Sequence, residues 1–207
     1  AKGKDGAKMS KSSGDFLRLQ VLIDKGIHPL AYRLMCLQAH YRSELEFTWD
    51  NLLAALTRLK RIVIGVERLT EKAGGQSAPV DHPALLQLRD RFDAALSDDL
   101  NSSKGLPLLE DLLGLKKVPA DQRLALLAEM DTVLGLDLLA VKRAQLRLRP
   151  AGAKTDETDI EARLDQRQQA KAAKDFATAD TIRDQLTAQG VELMDGDPLR
   201  WEWRIEI

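Results

Sequence analysis

Thr48-Trp49-Asp50-Asn51-Leu52-Leu53-Ala54-Ala55-Leu56-Thr57-Arg58-Leu59-Lys60-Arg61-Ile62-Val63-Ile64-Gly65-Val66-Glu67-Arg68-Leu69 is the stretch that decides the fold class. Leu52, Leu53, Leu56, Leu59, Ile62, Val63, Val66 and Leu69 recur at spacings of three and four over about five turns, a single apolar stripe on a helix of a bundle. Thr48 stands where an N-cap is needed, its hydroxyl able to accept from a backbone N–H of the first turn.

The same alphabet continues on both sides. Upstream, the pattern predicts a short helix through Phe16, Leu17, Leu19, Val21, Leu22 and Ile23, stopped at Gly26. A second helix runs from Leu30 to His40, with Pro29 in its first turn. Downstream, Ala73 to Pro79 is a linker by composition, followed by a helix from about Pro83 to Leu96. Asn101 or Ser102 can cap a helix from Lys104 to Gly114, and Pro119-Ala120-Asp121 opens one that ends at Gly135. After a second linker at Arg149-Pro150-Ala151-Gly152-Ala153 come a helical hairpin, Glu157 to Lys174 and Phe176 to Gln189, and two short strands, Val191 to Asp195 and Arg200 to Ile205. The expected class is therefore mainly α: a helical bundle followed by a small α+β domain.

Composition agrees. The 207 residues are 44% apolar, 30% charged and only 4% aromatic, the balance of a soluble, helix-rich globular protein. Cys36, the single cysteine, excludes an internal disulfide and cannot alone build a thiolate zinc site. It lies in the apolar run Ala31 to Ala39 and reads as a core residue. His28 has no second ligand at metal spacing, and Asp98-Asp99 reads as helix capping in preference to a magnesium site, so no metal site is expected. No apolar run reaches membrane-span length, which makes a cytoplasmic protein without membrane contact the default expectation; a monomer is expected as well.

Charge is uneven along the chain. Residues 1–72 carry 13 Lys/Arg against 8 Asp/Glu, whereas residues 156–207 carry 7 against 13. The first third is thus the better face for a phosphate backbone, and the last domain could touch RNA only through few, specific contacts. In the basic third lies Lys8-Met9-Ser10-Lys11-Ser12-Ser13-Gly14, two lysines among small hydroxyls before a glycine. Such a loop suits phosphate oxygens; as composition alone it is equally a solvated tail.

The order KMSKS resembles the signature loop of class I aminoacyl-tRNA synthetases. Three further blocks resemble cysteinyl-tRNA synthetases in that family's order: His40-Tyr41-Arg42-Ser43; Phe92-Asp93-Ala94-Ala95-Leu96-Ser97-Asp98-Asp99-Leu100-Asn101; and Lys174-Asp175-Phe176-Ala177-Thr178-Ala179-Asp180-Thr181-Ile182-Arg183-Asp184. The resemblance covers nearly the whole chain but only the C-terminal part of that enzyme, from the KMSKS loop onward. It implies residues 1–15 as the end of a catalytic domain, 16–47 as a connecting helical segment, 48–149 as the bundle, 150–155 as a linker and 156–207 as a small anticodon-reading domain.

The resemblance also implies roles. Lys8 and Lys11 would be catalytic, binding ATP together with Ser10 and Ser12. Lys171, Phe176, Asp180, Arg183 and Asp195 would face the tRNA anticodon, and Tyr41 and Arg42 the tRNA stem. For each group a plainer reading stands beside it: a Tyr and Arg fastening a helix end, a packed Phe176, and an Asp180–Arg183 ion pair on one helix. The family's HIGH-like histidines and zinc-holding cysteines have no counterpart here, so zinc would belong to a catalytic domain outside this chain.

The expectation is a tRNA-Cys-binding portion of an ATP-dependent cysteine–tRNA ligase, a fragment unable to aminoacylate alone. A free-standing tRNA-binding or regulatory relative is the alternative, and a cysteine ligase acting on a small amine, of the mycothiol type, a remoter one. Two departures from the family pattern stand out: Asp99-Leu100-Asn101-Ser102-Ser103 lacks the usual proline, and Pro198-Leu199-Arg200 runs straight into Trp201 without the usual Gly-Thr.

Overall fold

A computed structural model describes residues 18–206. Among them are eight α-helices, α1 Leu19–Asp24, α2 Pro29–Leu37, α3 Trp49–Lys72, α4 Pro83–Ser97, α5 Ser102–Gly114, α6 Ala120–Leu134, α7 Glu157–Ala172 and α8 Phe176–Ala188. One antiparallel pair of strands follows, β1 Val191–Leu193 and β2 Trp201–Trp203. The described chain forms two compact units, one of residues 29–146 and one of residues 18–28 with 147–206. No helix among the described residues is long and apolar enough to cross a membrane.

In the first unit α3 is the spine. Leu52, Ala55, Leu56, Leu59, Ile62, Val63, Val66 and Leu69 are buried along it, against α2, α5 and α6. Thr48 caps it as the sequence requires, its Oγ1 accepting from the Asn51 N–H at 3.1 Å. The second layer is α4 against α5 and α6, with Leu85, Leu88 and Phe92 turned inward. Asn101 caps α5 through its Oδ1, which accepts from the Lys104 N–H at 3.2 Å.

Two helix ends are closed by arginines from elsewhere in the chain. Buried Arg123 donates to the carbonyls of Leu112 and Leu113 at the end of α5, at 3.1 and 2.6 Å. Arg33 donates to Leu134 O at the end of α6 from two nitrogens, at 2.9 and 2.6 Å. Beyond α6 the chain turns through Gly135 in the left-handed region, φ 61°, and buried Asp131 accepts from the N–H groups of Leu136 and Leu138 at 2.9 and 2.6 Å.

Cys36 corrects its sequence reading: it is exposed. Within α2 the buried positions are Ala31, Leu34 and Met35, and the 3.6-residue period carries Cys36 away from them to stand beside Tyr32, one turn back. The unbroken apolar run hid this, because α2 is covered on one side only.

The second unit packs α7 and α8 as a hairpin under the strand pair. Its core is Ile160, Leu164, Ile182, Leu186, Val191, Trp201 and Trp203. The register Val191↔Trp203 and Leu193↔Trp201 places both tryptophans on the inner face, in edge-to-face contact at 5.1 Å. The strands are shorter than the expected Val191–Asp195 and Arg200–Ile205 spans, because residues 194–200 close the turn themselves: the Arg200 N–H donates to Asp197 O, and the Met194 N–H to Arg200 O. The segment after α1 joins this unit by a backbone bond from the Ala151 N–H to Asp24 O at 2.8 Å, and by the tight approach of Gly26 to Leu148 and Pro150.

At Gly135 a Cβ would stand within 2.5 Å of the Arg33 guanidinium, on a backbone that L residues resist. Gly135→Ala is expected to lower the unfolding free energy of the first unit by about 1–2 kcal/mol. Denaturant titration of Gly135→Ala, Arg33→Ala and the double variant measures this. A double variant no worse than the worse single one is the expected result, since both changes undo the same helix end.

Candidate functional site

The residues that the sequence singles out fall into three groups. Lys8, Ser10, Lys11 and Ser12 lie outside the described residues. Tyr41 and Arg42 belong to the first unit, and Lys171, Phe176, Asp180, Arg183 and Asp195 to the second.

In the first unit, residues 40–42 reach across to the loop between α4 and α5. The Tyr41 hydroxyl donates to Asp99 Oδ1 at 2.6 Å, and Arg42 Nε lies 2.9 Å from both the Tyr41 oxygen and Asp99 Oδ2. The His40 ring stacks on Tyr41 at 4.9 Å and its Nε2 meets the Asp99 carbonyl at 3.1 Å. Asp99 and Leu100 both hold positive φ, 58° and 53°, a turn non-glycine residues seldom make twice running. The three side chains from His40 to Arg42 thus brace a strained loop.

Asp98 pairs separately with Lys104 at 2.9 Å, a bond that holds its carboxyl below the usual range. The adjacent aspartates therefore serve as cross-links, and the capping itself falls to Asn101. Among the described residues no group of three or more His, Cys, Asp or Glu is placed to hold a metal ion.

In the second unit Lys171 and Phe176 flank the connection between α7 and α8, Asp195 meets Lys171, and Asp180 and Arg183 follow one and two turns along α8. Asp175 caps α8, accepting from the Thr178 N–H at 3.1 Å; the Thr178 hydroxyl first, and this backbone bond after it, hold its carboxyl below the ordinary value. Phe176, the first residue of α8, is 63% exposed, while Ala179, Ile182 and Leu186 of the same helix are buried. Phe176, Asp180 and Arg183 stand at i, i+4 and i+7, sharing a face, with Arg183 3.0 Å from Asp180 and 3.1 Å from Asp184. The ion-pair reading of Asp180 and Arg183 therefore describes their geometry; the packed reading of Phe176 does not.

Asp195, just past β1, is held by α7. Arg167 forks onto it, Nη1 to Oδ1 at 2.7 Å and Nη2 to Oδ2 at 3.0 Å, and Lys171 Nζ sits 3.4 Å from both oxygens. These contacts, the Arg167 bonds foremost, pull the Asp195 carboxyl down to about 2. Arg167 is raised in turn, first by its bond to Asp195, with the charges of Asp195 and Asp180 adding against its burial.

In the sequence Arg163, Arg167, Lys171 and Lys174 fall at helical spacing as a narrow basic stripe, but in the structure it is no open cationic track. Arg163 pairs with Asp159 at 2.9 Å, and Arg167 and Lys171 are spent on Asp195. Arg167 itself was legible only as one member of that stripe; its burial carried no signal in local sequence. The shortened turn before Trp201 is closed by Arg200, φ 65°, whose guanidinium binds Glu161 at 2.9 Å and Asp165 at 2.7 Å. Arg147 lies over the Trp201 ring at 3.6 Å and donates to the carbonyls of Leu199 and Trp201. The strands and the loop bearing Asp195 are thus wired to the helices by three arginines.

Chemically, this end offers one exposed aromatic face, two carboxylates as hydrogen-bond acceptors, and two partly exposed cations. Unpaired nucleobases need such a set: a platform for stacking and acceptors for base-edge donors.

Comparison with known proteins finds no matching family model. Curated relatives match over nearly the entire chain. The cysteine–tRNA ligase of Novosphingobium aromaticivorans is 61% identical over 198 residues, covering 96% of this chain and 40% of that protein. Those of Zymomonas mobilis and Synechococcus sp. strain CC9605 are 47% and 40% identical, again over 96% of this chain and over 44% and 45% of theirs. The chain therefore spans less than half the length of the relatives it matches, in their C-terminal part.

Acid stability follows from the same geometry. Asp195 has its folded-state pKa depressed, so its contribution is present in full above the ordinary carboxylate value near 3.8 and is lost as pH falls toward about 2. Asp159 and Asp175 are also depressed and add to the loss on the acid side. Unfolding followed by circular dichroism from pH 5 to pH 2 is expected to show stability falling with pH, with a shallower fall in Asp195→Asn than in the parent chain.

Proposed function

The chain belongs to the cysteine–tRNA ligase family, and from that membership we propose that it is the tRNA-engaging part of an enzyme that joins cysteine to tRNA-Cys at the expense of ATP. The second unit reads the anticodon. Phe176 provides the stacking face, Asp180 and Asp195 accept from base edges, and Lys171 and Arg183 answer acceptors or phosphate. The observation that carries this reading is the exposure of Phe176 beside charged groups, on a helix whose other large apolar side chains point into the core.

The remaining roles follow from family membership. Lys8, Ser10, Lys11 and Ser12 bind the ATP phosphates, the two lysines following the charge that develops as pyrophosphate departs. Tyr41 and Arg42 face the tRNA stem with the outer sides of the brace they form on Asp99, both side chains being largely exposed. The pocket that activates cysteine, with its zinc, is supplied by the rest of the enzyme; this chain alone binds tRNA without aminoacylating it. The enzyme works as a monomer in the cytoplasm.

Binding of this chain to tRNA-Cys, and to the same tRNA with its anticodon exchanged, at low and moderate salt, tests the proposal. Anticodon discrimination that persists at the higher salt is expected, since base contacts do not depend on counterion release as phosphate contacts do. Phe176→Ala should weaken cognate binding by about 1–3 kcal/mol, the worth of one stacked base, and leave folding unchanged because the ring is exposed. Equal, salt-sensitive binding to both tRNAs would defeat the anticodon-reading role.

A further inference from the structure

Arg167 is an unusual residue for this surface. Only 8% of it is exposed, yet the carboxylate it serves is 66% exposed. Its Nε is buried and has no hydrogen-bond partner among the described residues. Desolvating a guanidinium and leaving one N–H unmet is costly, and an apolar side chain of the same length would pack there more cheaply. Core stability does not account for it.

The geometry does. Both terminal nitrogens are committed to Asp195, one to each oxygen, in a two-bond fork that restrains a carboxylate's rotation as well as its position. Lys171 approaches the same two oxygens from the hairpin corner, but at 3.4 Å and on a flexible, half-exposed stem. Asp195 thus has one fixed partner beneath it and one loose partner beside it. Its remaining acceptor positions open to solvent, at the end of the unit where Phe176 and Asp180 are exposed.

We infer that Arg167 is a positioning residue, whose buried guanidinium sets the Asp195 carboxylate in one orientation so that it reads hydrogen-bond donors on an anticodon base edge, with Lys171 the exchangeable partner that RNA displaces. The inference rests on the anticodon-reading role proposed above. It assigns different work to two cations of one stripe: Arg167 never touches RNA, and Lys171 leaves Asp195 when RNA arrives. The charged groups around the carboxylate are Arg167 and Lys171 of α7, with Asp180 of α8 felt through Arg167.

The test uses the full chain with Arg167→Met, Arg167→Lys and Asp195→Asn, each measured for three properties. These are thermal unfolding, the carboxyl 13C titration of Asp195 where that residue is kept, and the ratio of affinities for tRNA-Cys and its anticodon-exchanged form. Methionine keeps the buried stem packed, and the abandoned carboxylate is already in water, so Arg167→Met is expected to fold. Its Asp195 midpoint should move up toward the ordinary carboxylate value, and its discrimination should fall about tenfold, the scale of one lost base-edge contact. Arg167→Met combined with Asp195→Asn should lose no more than Asp195→Asn alone. Arg167→Lys, which restores charge without the fork, should stay impaired.

Loss of discrimination in Asp195→Asn with full discrimination in Arg167→Met would overturn the positioning role while leaving the anticodon reading intact. Unchanged discrimination in Asp195→Asn would remove the base contact itself, and the inference with it. Should Arg167→Met fail to fold, Arg167→Lys decides: full discrimination with a raised Asp195 midpoint overturns the proposal, and impaired discrimination sustains it.

Discussion

A helix ends with carbonyls that have no partner of their own, and this chain closes two such ends with arginines from other helices. Arg33 of α2 meets the end of α6, and Arg123 of α6 meets the end of α5. Asp131 then catches the first N–H groups of the segment that follows. Each arginine satisfies helix-end carbonyls and simultaneously fixes one helix against another, so termination and packing become the same event. The apolar stripe on α3 supplies the driving force for the bundle; the polar closures select which arrangement of its helices is native.

Arginine does comparable work in the second unit, for a different reason. Two strands of three residues each cannot sustain a sheet in water. Here both tryptophans of β2 are buried against the hairpin, and the pair is stapled from above and below. Arg147 covers the Trp201 ring, Arg200 ties the turn to α7 through Glu161 and Asp165, and the Trp201 indole N–H donates to Glu161 at 2.6 Å. A planar, permanently charged group with several donors can engage a ring face and two carbonyls at once, which lysine cannot.

The acidic character of this unit bears on how it would meet RNA. Arg163, Arg167, Lys171, Arg183 and Arg200 are paired to carboxylates of the same segment, 156–207, which leaves it less charge for indiscriminate attraction to phosphate and more reliance on stacking and base-edge contacts in the role proposed above. The first unit shows the complementary economy at Asp99, where a strained turn is held by Tyr41, Arg42 and His40 while the outer faces of those side chains remain in solvent.

Local pattern determined the helices, their caps and the class of the fold. The three-four stripe of α3, Thr48, Asn101, Gly135 and the hairpin after Asp156 act over one or two turns of chain, and such forces are written in neighbouring residues. The shared face of Phe176, Asp180 and Arg183 was legible for the same reason, since helical spacing alone puts them together. What tertiary structure decided was every partnership across distance and every question of which side faces water. Cys36 lies in an apolar run yet is exposed, because burial depends on what covers a helix and not on the helix itself. Asp195 gains Arg167 from 28 residues away, and residues 18–28 join the unit formed by the end of the chain. Those contacts are settled by packing the whole chain at once, where the local period of the sequence carries no information.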